Sequence, residues 1–88
     1  MQGKRVYADI NGAIKNLNNG EYGFCKHVSE KTGQQLWIGK TPNGDIFTLK
    51  NGSNHIIKEN EDKTITVSPS IVTGNWHGWL KNGIWQSV

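Results

Sequence analysis

The 88-residue chain carries ten Lys/Arg against seven Asp/Glu, a net charge of +3, and 34% hydrophobic residues. That length holds one domain, 1–88, with no room for a catalytic domain beside a regulatory one. The lysines are scattered and only one arginine is present, which disfavours duplex nucleic acid as a partner because bidentate reading of guanine is nearly lost.

A single cysteine, Cys25, excludes an intramolecular disulfide and fits a reducing cytosol. No apolar run approaches the roughly 20 residues of a membrane span, and the N-terminus lacks a hydrophobic signal region, so the expectation is a cytoplasmic protein with no membrane association. With so few aliphatic residues, the four Trp, two Phe and two Tyr must supply much of the core, each ring burying about 150–250 Å².

Along the chain, Ile10, Ala13, Ile14 and Leu17 fall at i, i+3, i+4 and i+7. This spacing predicts a short N-terminal helix capped by Asp9 and ended by Gly20. Strands follow. In "EYGFCKHV" (21–28), Tyr22, Phe24 and Val28 share one parity, and Gly23, Cys25 and His27 the other. "QQLWIGK" and "DIFTLK" are joined by "TPNG", where Pro42 presets φ and Gly44 supplies the left-handed position. A three-residue loop with Thr41 opposite Asp45 aligns Trp37 with Leu49 and Gly39 with Phe47.

A second hairpin is predicted around "ENEDK", with Ile65 and Val67 facing inward and Thr64, Thr66 and Ser68 outward. Pro69 cannot donate to a ladder and ends that strand. The fold class is mainly β (α+β): a small antiparallel sheet or partly open barrel of about five to seven strands with one short helix.

The clearest hairpin is "WHGWLKNGIWQSV" (76–88). Asn82-Gly83 as a two-residue turn sets Lys81 opposite Ile84, Leu80 opposite Trp85, Trp79 opposite Gln86 and His77 opposite Val88. One side then carries Trp76, Gly78, Leu80, Trp85 and Ser87, and reads as core. The other carries His77, Trp79, Lys81, Ile84, Gln86 and Val88. Gly78, between two tryptophan-bearing positions, marks a bulge or a close approach by another backbone or a ligand.

The mixed side has two readings. Facing water, it offers an indole flanked by an imidazole, an ammonium and an amide; His77, Trp79, Lys81 and Gln86 are then the candidate ligand-binding residues. Such a surface suits a planar anionic ligand such as a nucleotide, since base–aromatic stacking contributes about 1–3 kcal/mol per base. Alternatively, Trp79 packs beneath the helix or in a subunit interface, with Lys81 extending past it.

The tail "TVSPSIVTGNWHGWLKNGIW" resembles the C-terminus of small phage- and prophage-encoded proteins of unknown function, in which an "SPSI" stretch precedes a His-x-aromatic hairpin ending in Asn-Gly. The matching residues are Ser68, Pro69, Ser70, Ile71, Trp76, His77, Gly78, Trp79, Leu80, Asn82 and Gly83, within the last quarter of the chain. The resemblance implies a viral or mobile-element origin and residence in a host cytosol. Some of those relatives carry cysteine pairs suggestive of zinc; with one cysteine, this chain cannot take over such a site.

A set of Cys25, His27, His55 and His77 has ligand types that zinc accepts, but no second close-spaced pair supports it, so neither metal nor other cofactor is expected. Cys25, Ser68 and Ser70 lack nucleophile signatures, and no P-loop or dinucleotide fingerprint occurs. The reading is therefore of a non-enzymatic binding protein that sequesters a nucleotide or nucleotide-derived signal in counter-defence. The alternative is a protein–protein inhibitor or assembly component that uses the Trp hairpin as an interface. Its partners are then a small anionic ligand or a host protein, and homo-oligomerisation is expected because so small a sheet leaves edges for a neighbour to cover.

Overall fold

The computed structural model describes residues 1–10, 12–28, 35–52 and 55–88, of which 26–28 and 35 are described by their backbone. Nine strands form among them: β1 (Lys4–Arg5), β2 (Glu21–Val28), β3 (Gln35–Lys40), β4 (Ile46–Lys50), β5 (Ile56–Glu59), β6 (Ile65–Ser68), β7 (Ile71–Val72), β8 (His77–Lys81) and β9 (Ile84–Ser87). They make three small sheets, ordered β1-β2-β3-β4, β5-β6 and β7-β8-β9, and none closes into a barrel. The count exceeds the five to seven expected because two strands are only two residues long.

The turn chemistry places the hairpins as the sequence predicts. Between β3 and β4 the Thr41 N–H donates to the Asp45 carbonyl at 2.8 Å and Gly44 takes φ +97°. Trp37 pairs with Leu49 and Gly39 with Phe47. Asn82 and Gly83 both adopt positive φ, 50° and 74°, as a two-residue turn matching the strand twist requires. Leu80 then faces Trp85, and Trp79 faces Gln86.

The predicted N-terminal helix is absent. In a helix the Ala13 N–H would donate to the Asp9 carbonyl; here it donates to the Asp9 side chain at 3.1 Å, while the Asp9 N–H donates back to the Ala13 carbonyl. Gly12 (φ 80°) and Asn16 (φ 58°) stand in the left-handed region, which helices do not continue through. The apolar spacing that suggested one helical face is not used as a face: Ile10 is 95% exposed, whereas Ile14 reaches over Gly23. The segment instead carries the chain from β1 back to β2, which pair in parallel and so need a long crossover.

All three sheets feed one core cluster, containing Tyr22, Trp37, Phe47, Leu49, Ile57, Ile65, Val67, Ile71, Leu80 and Trp85. The sheets are tied where their ladders end. Residues 1–3 run beside β9, with the Trp85 N–H donating to the Met1 carbonyl and the Gly3 N–H to the Gly83 carbonyl. Arg5 lies between the Tyr7 and Trp37 rings, 5.1 and 4.8 Å from their centroids, and donates to the Lys63 carbonyl at 2.9 Å. That links β1 to the β5–β6 turn.

A polar clasp joins the β3–β4 turn to the loop before β8. The Asp45 carboxylate accepts from the Thr73 hydroxyl at 2.6 Å and from the Asn75 N–H at 3.2 Å. The Thr73 hydroxyl chiefly, then the Asn75 N–H and to a lesser degree the Asn43 amide, hold the Asp45 carboxyl below its ordinary range against an opposing desolvation. A carboxyl whose folded-state pKa is depressed adds stability above its unfolded pKa, and loses it as pH falls through the folded value. Asp45→Asn is therefore expected to be less stable than the parent protein at pH 7. The gap should close as pH drops below about 4, measured by urea unfolding of both proteins across pH; a gap independent of pH contradicts the clasp.

Candidate functional site

The closing hairpin separates its two sides sharply. Leu80 is fully buried and Trp85 is 3% exposed, whereas Trp79, next to Leu80 in the same strand, is 42% exposed. Trp85 is held inward by its Nε1–H, which donates to the Gly20 carbonyl at 2.9 Å, and by edge-on contacts with Trp76 and Phe47. With Trp85 fixed inward, the two-residue side-chain period of the hairpin puts His77, Trp79, Lys81, Ile84, Gln86 and Val88 on the outward face. All six are exposed.

Gly78 makes this arrangement possible. A Cβ there would lie 2.2 Å from the Gln86 carbonyl oxygen and 2.6 Å from the Trp76 ring, so the glycine admits a close backbone approach and lets Trp76 fold across the strand pair. The close approach is by protein groups.

On the outward side, a partly open groove of about 450 Å³ lies between β6 and the closing hairpin, lined by Thr66, Val67, Ser68, Trp79, Lys81 and Gln86. It occupies the seam between two sheets: β6 ladders with β5, and β8 with β7 and β9. One end of the seam is tied by the Asn82 N–H, which donates to the Thr66 hydroxyl oxygen at 3.0 Å, and by the Gly83 N–H, which donates to the Ile65 carbonyl. The chain leaves β6 through Pro69 and returns as β7 alongside Gly78 and His77.

Three of the four residues proposed from sequence line this groove: Trp79, Lys81 and Gln86. His77 does not. Its Nε2 lies 3.0 Å from the Ser70 hydroxyl oxygen, and its ring centroid is 6.2 Å from that of Trp79. Thr66, Val67 and Ser68 were missed, because their approach to the hairpin depends on a contact between sheets that no local pattern encodes.

The groups around the groove differ in availability. The Thr66 hydroxyl is engaged by Asn82 and Asn60. The Lys81 ammonium, the Gln86 amide and the Ser68 hydroxyl have no hydrogen bond to another described residue. The groove thus offers one cationic donor, two groups able to donate or accept, and an aromatic wall. Its volume lies in the range of small-molecule sites, roughly 300–1,000 Å³.

Other chemistry is less developed. Among the described residues no group of three or more His, Cys, Asp or Glu could hold a metal ion; the His27 side chain lies outside them. His55 and His77 both meet Ser70, His55 through Nε2 at 3.1 Å from its carbonyl oxygen and His77 at its hydroxyl. Burial pushes the Cys25 thiol pKa up, which lowers the thiolate fraction that nucleophilic or metal-binding chemistry uses. No helix among the described residues is long and apolar enough to cross a membrane.

Comparison of the chain with known protein families, characterised proteins and solved structures finds no match.

Gly78→Ala is expected to lower stability by about 1–3 kcal/mol, the usual cost of overpacking, and to shift the Trp76 and Trp85 environments in near-ultraviolet circular dichroism. A variant as stable as the parent, with an unchanged spectrum, contradicts the close packing of Trp76 over Gly78.

Proposed function

We propose that the protein is a non-enzymatic binding module whose ligand is a small, planar, anionic molecule of the nucleotide type, held in the groove between β6 and the closing hairpin. The observation that carries this reading is the placement of Trp79. A half-exposed indole forms the wall of a groove of ligand size, beside an ammonium and an amide that are hydrogen-bonded to no other described residue. A base stacked on the indole contributes about 1–3 kcal/mol, Lys81 meets the anionic group, and Gln86 and Ser68 supply hydrogen bonds to the base or sugar. The resemblance of the tail to phage-encoded proteins suggests the setting in which sequestering a nucleotide signal would serve as counter-defence.

A second reading has its own support. Val72, Ile84 and Val88 are exposed on the same face as Trp79, and aliphatic groups around a tryptophan also suit a protein interface. In that case the partner is a second copy of this chain or a host protein.

Trp79→Ala separates the two. Under the ligand reading, nucleotides quench tryptophan fluorescence in the parent protein. The variant loses the quenching while losing no more than about 2 kcal/mol of stability, as fits a half-exposed ring; Trp85→Ala should cost about 3–5 kcal/mol. If the variant instead changes the mass measured by light scattering, the interface reading stands. If it unfolds the protein, the outward face is not a binding surface.

A further inference from the structure

The nucleotide reading of the groove specifies a base site and one cation; the inference here rests on that reading and concerns the rest of the ligand. Lys58 of β5 stands directly opposite Thr66 of β6. Thr66, through its hydroxyl, is bonded to the backbone N–H of Asn82, the neighbour of Lys81. Lys58, Thr66 and Lys81 therefore make a row that runs across three strands on the outward face. Each lysine carries its ammonium on a flexible four-carbon stem, so the two can converge on one ligand from either side of Thr66.

Both lysines are exposed, and neither is hydrogen-bonded or ion-paired to another described residue. The acid in the strands flanking the groove is Glu59, and it is paired with Arg5 at 3.5 Å. Its parity on β5 matches that of the buried Ile57 and opposes that of Lys58. On β5, β6, β8 and β9 Glu59 is thus the one carboxylate, and although exposed it is engaged by Arg5. The cationic row lies beside the aromatic one: Trp79 is two residues from Lys81 along β8, about 7 Å away, a distance comparable to that between a nucleotide's base and its phosphates.

We propose that the ligand is a nucleoside di- or triphosphate, with its base on Trp79 and its phosphate chain lying across Thr66 between Lys81 and Lys58. A monophosphate reaches one ammonium; a chain of two or three phosphates spreads its charge along the row and engages both. Single-stranded nucleic acid fits less well. The groove holds about one nucleotide, and the cations run across the strands as a single pair, whereas a polynucleotide needs a longer basic track. Lys58 is thus a specificity-determining residue that counts phosphates, separate from the residues that hold the base.

The test is titration of tryptophan fluorescence with adenosine mono-, di- and triphosphate at low ionic strength, on the parent protein and on Lys58→Ala. In the parent, affinity is expected to rise from mono- to diphosphate. Lys58→Ala should weaken the di- and triphosphate by about fivefold, the upper end for one exposed ion pair, and leave the monophosphate unchanged. Its salt dependence with the triphosphate should also become shallower.

Equal affinity for all three nucleotides, with no effect of Lys58→Ala, overturns the phosphate-chain assignment while leaving the Trp79 site standing. Failure of every nucleotide to quench overturns the nucleotide reading itself, and this inference with it. A short oligonucleotide binding more tightly than any mononucleotide overturns it in favour of strand binding. The thermal unfolding midpoint of Lys58→Ala serves as the fold control, and it is expected to match the parent because Lys58 is exposed.

Discussion

The buried indole of Trp85 determines which way the closing hairpin faces. Its ring N–H is bonded to the Gly20 carbonyl, its backbone N–H to Met1, and its ring is pinned edge-on by Trp76 and Phe47. These contacts connect the third sheet to the first and to the start of the chain. Because side chains alternate along a strand, burying Trp85 buries its cross-strand neighbour Leu80 and turns Trp79, Lys81 and Gln86 outward. A one-residue slip of register would bring Trp79 into the core and remove the groove wall. The same interaction thus secures the fold and exposes the candidate site.

The groove is a consequence of building a small domain from three short sheets instead of one closed barrel. Strands β6 and β8 approach each other at the Asn82-Gly83 turn, where Thr66 and Ile65 receive its backbone N–H groups, but they belong to different sheets. The seam leaves outward side chains from both sheets around one concavity. Its polar groups then divide by use. Thr66 is consumed in joining the sheets, while Lys81, Gln86 and Ser68 are hydrogen-bonded to no other described residue.

How far the sequence showed this depends on how local each cause is. The closing hairpin and the β3–β4 register were legible to the residue because Asn-Gly and Pro-Asn-Gly impose specific backbone conformations, and a fixed turn propagates a fixed register. The outward position of Trp79, Lys81 and Gln86 followed as one of two readings. The helix at 10–17 failed because apolar spacing is weak evidence where Asn and Gly are dense: Gly12 and Asn16 take left-handed conformations, and Asp9 bonds locally. Thr66 and Ser68 could not be placed at the groove from their own segment. Their role comes from the seam between β6 and β8, which joins residues 16 apart by hydrogen bonds that no periodicity announces. The meeting of His55 and His77 at Ser70 is of the same kind.

The central claim is that one tryptophan of four meets the ligand. Each indole N–H gives its own signal in a two-dimensional proton–nitrogen NMR spectrum, so titration of ¹⁵N-labelled protein with adenosine diphosphate reads all four at once. The account predicts that the Trp79 indole signal moves, together with the backbone signals of Lys81 and Gln86, while the Trp85 indole, bonded to Gly20, stays in place. An unmoved Trp79 indole, or a shift confined to another tryptophan, would contradict it.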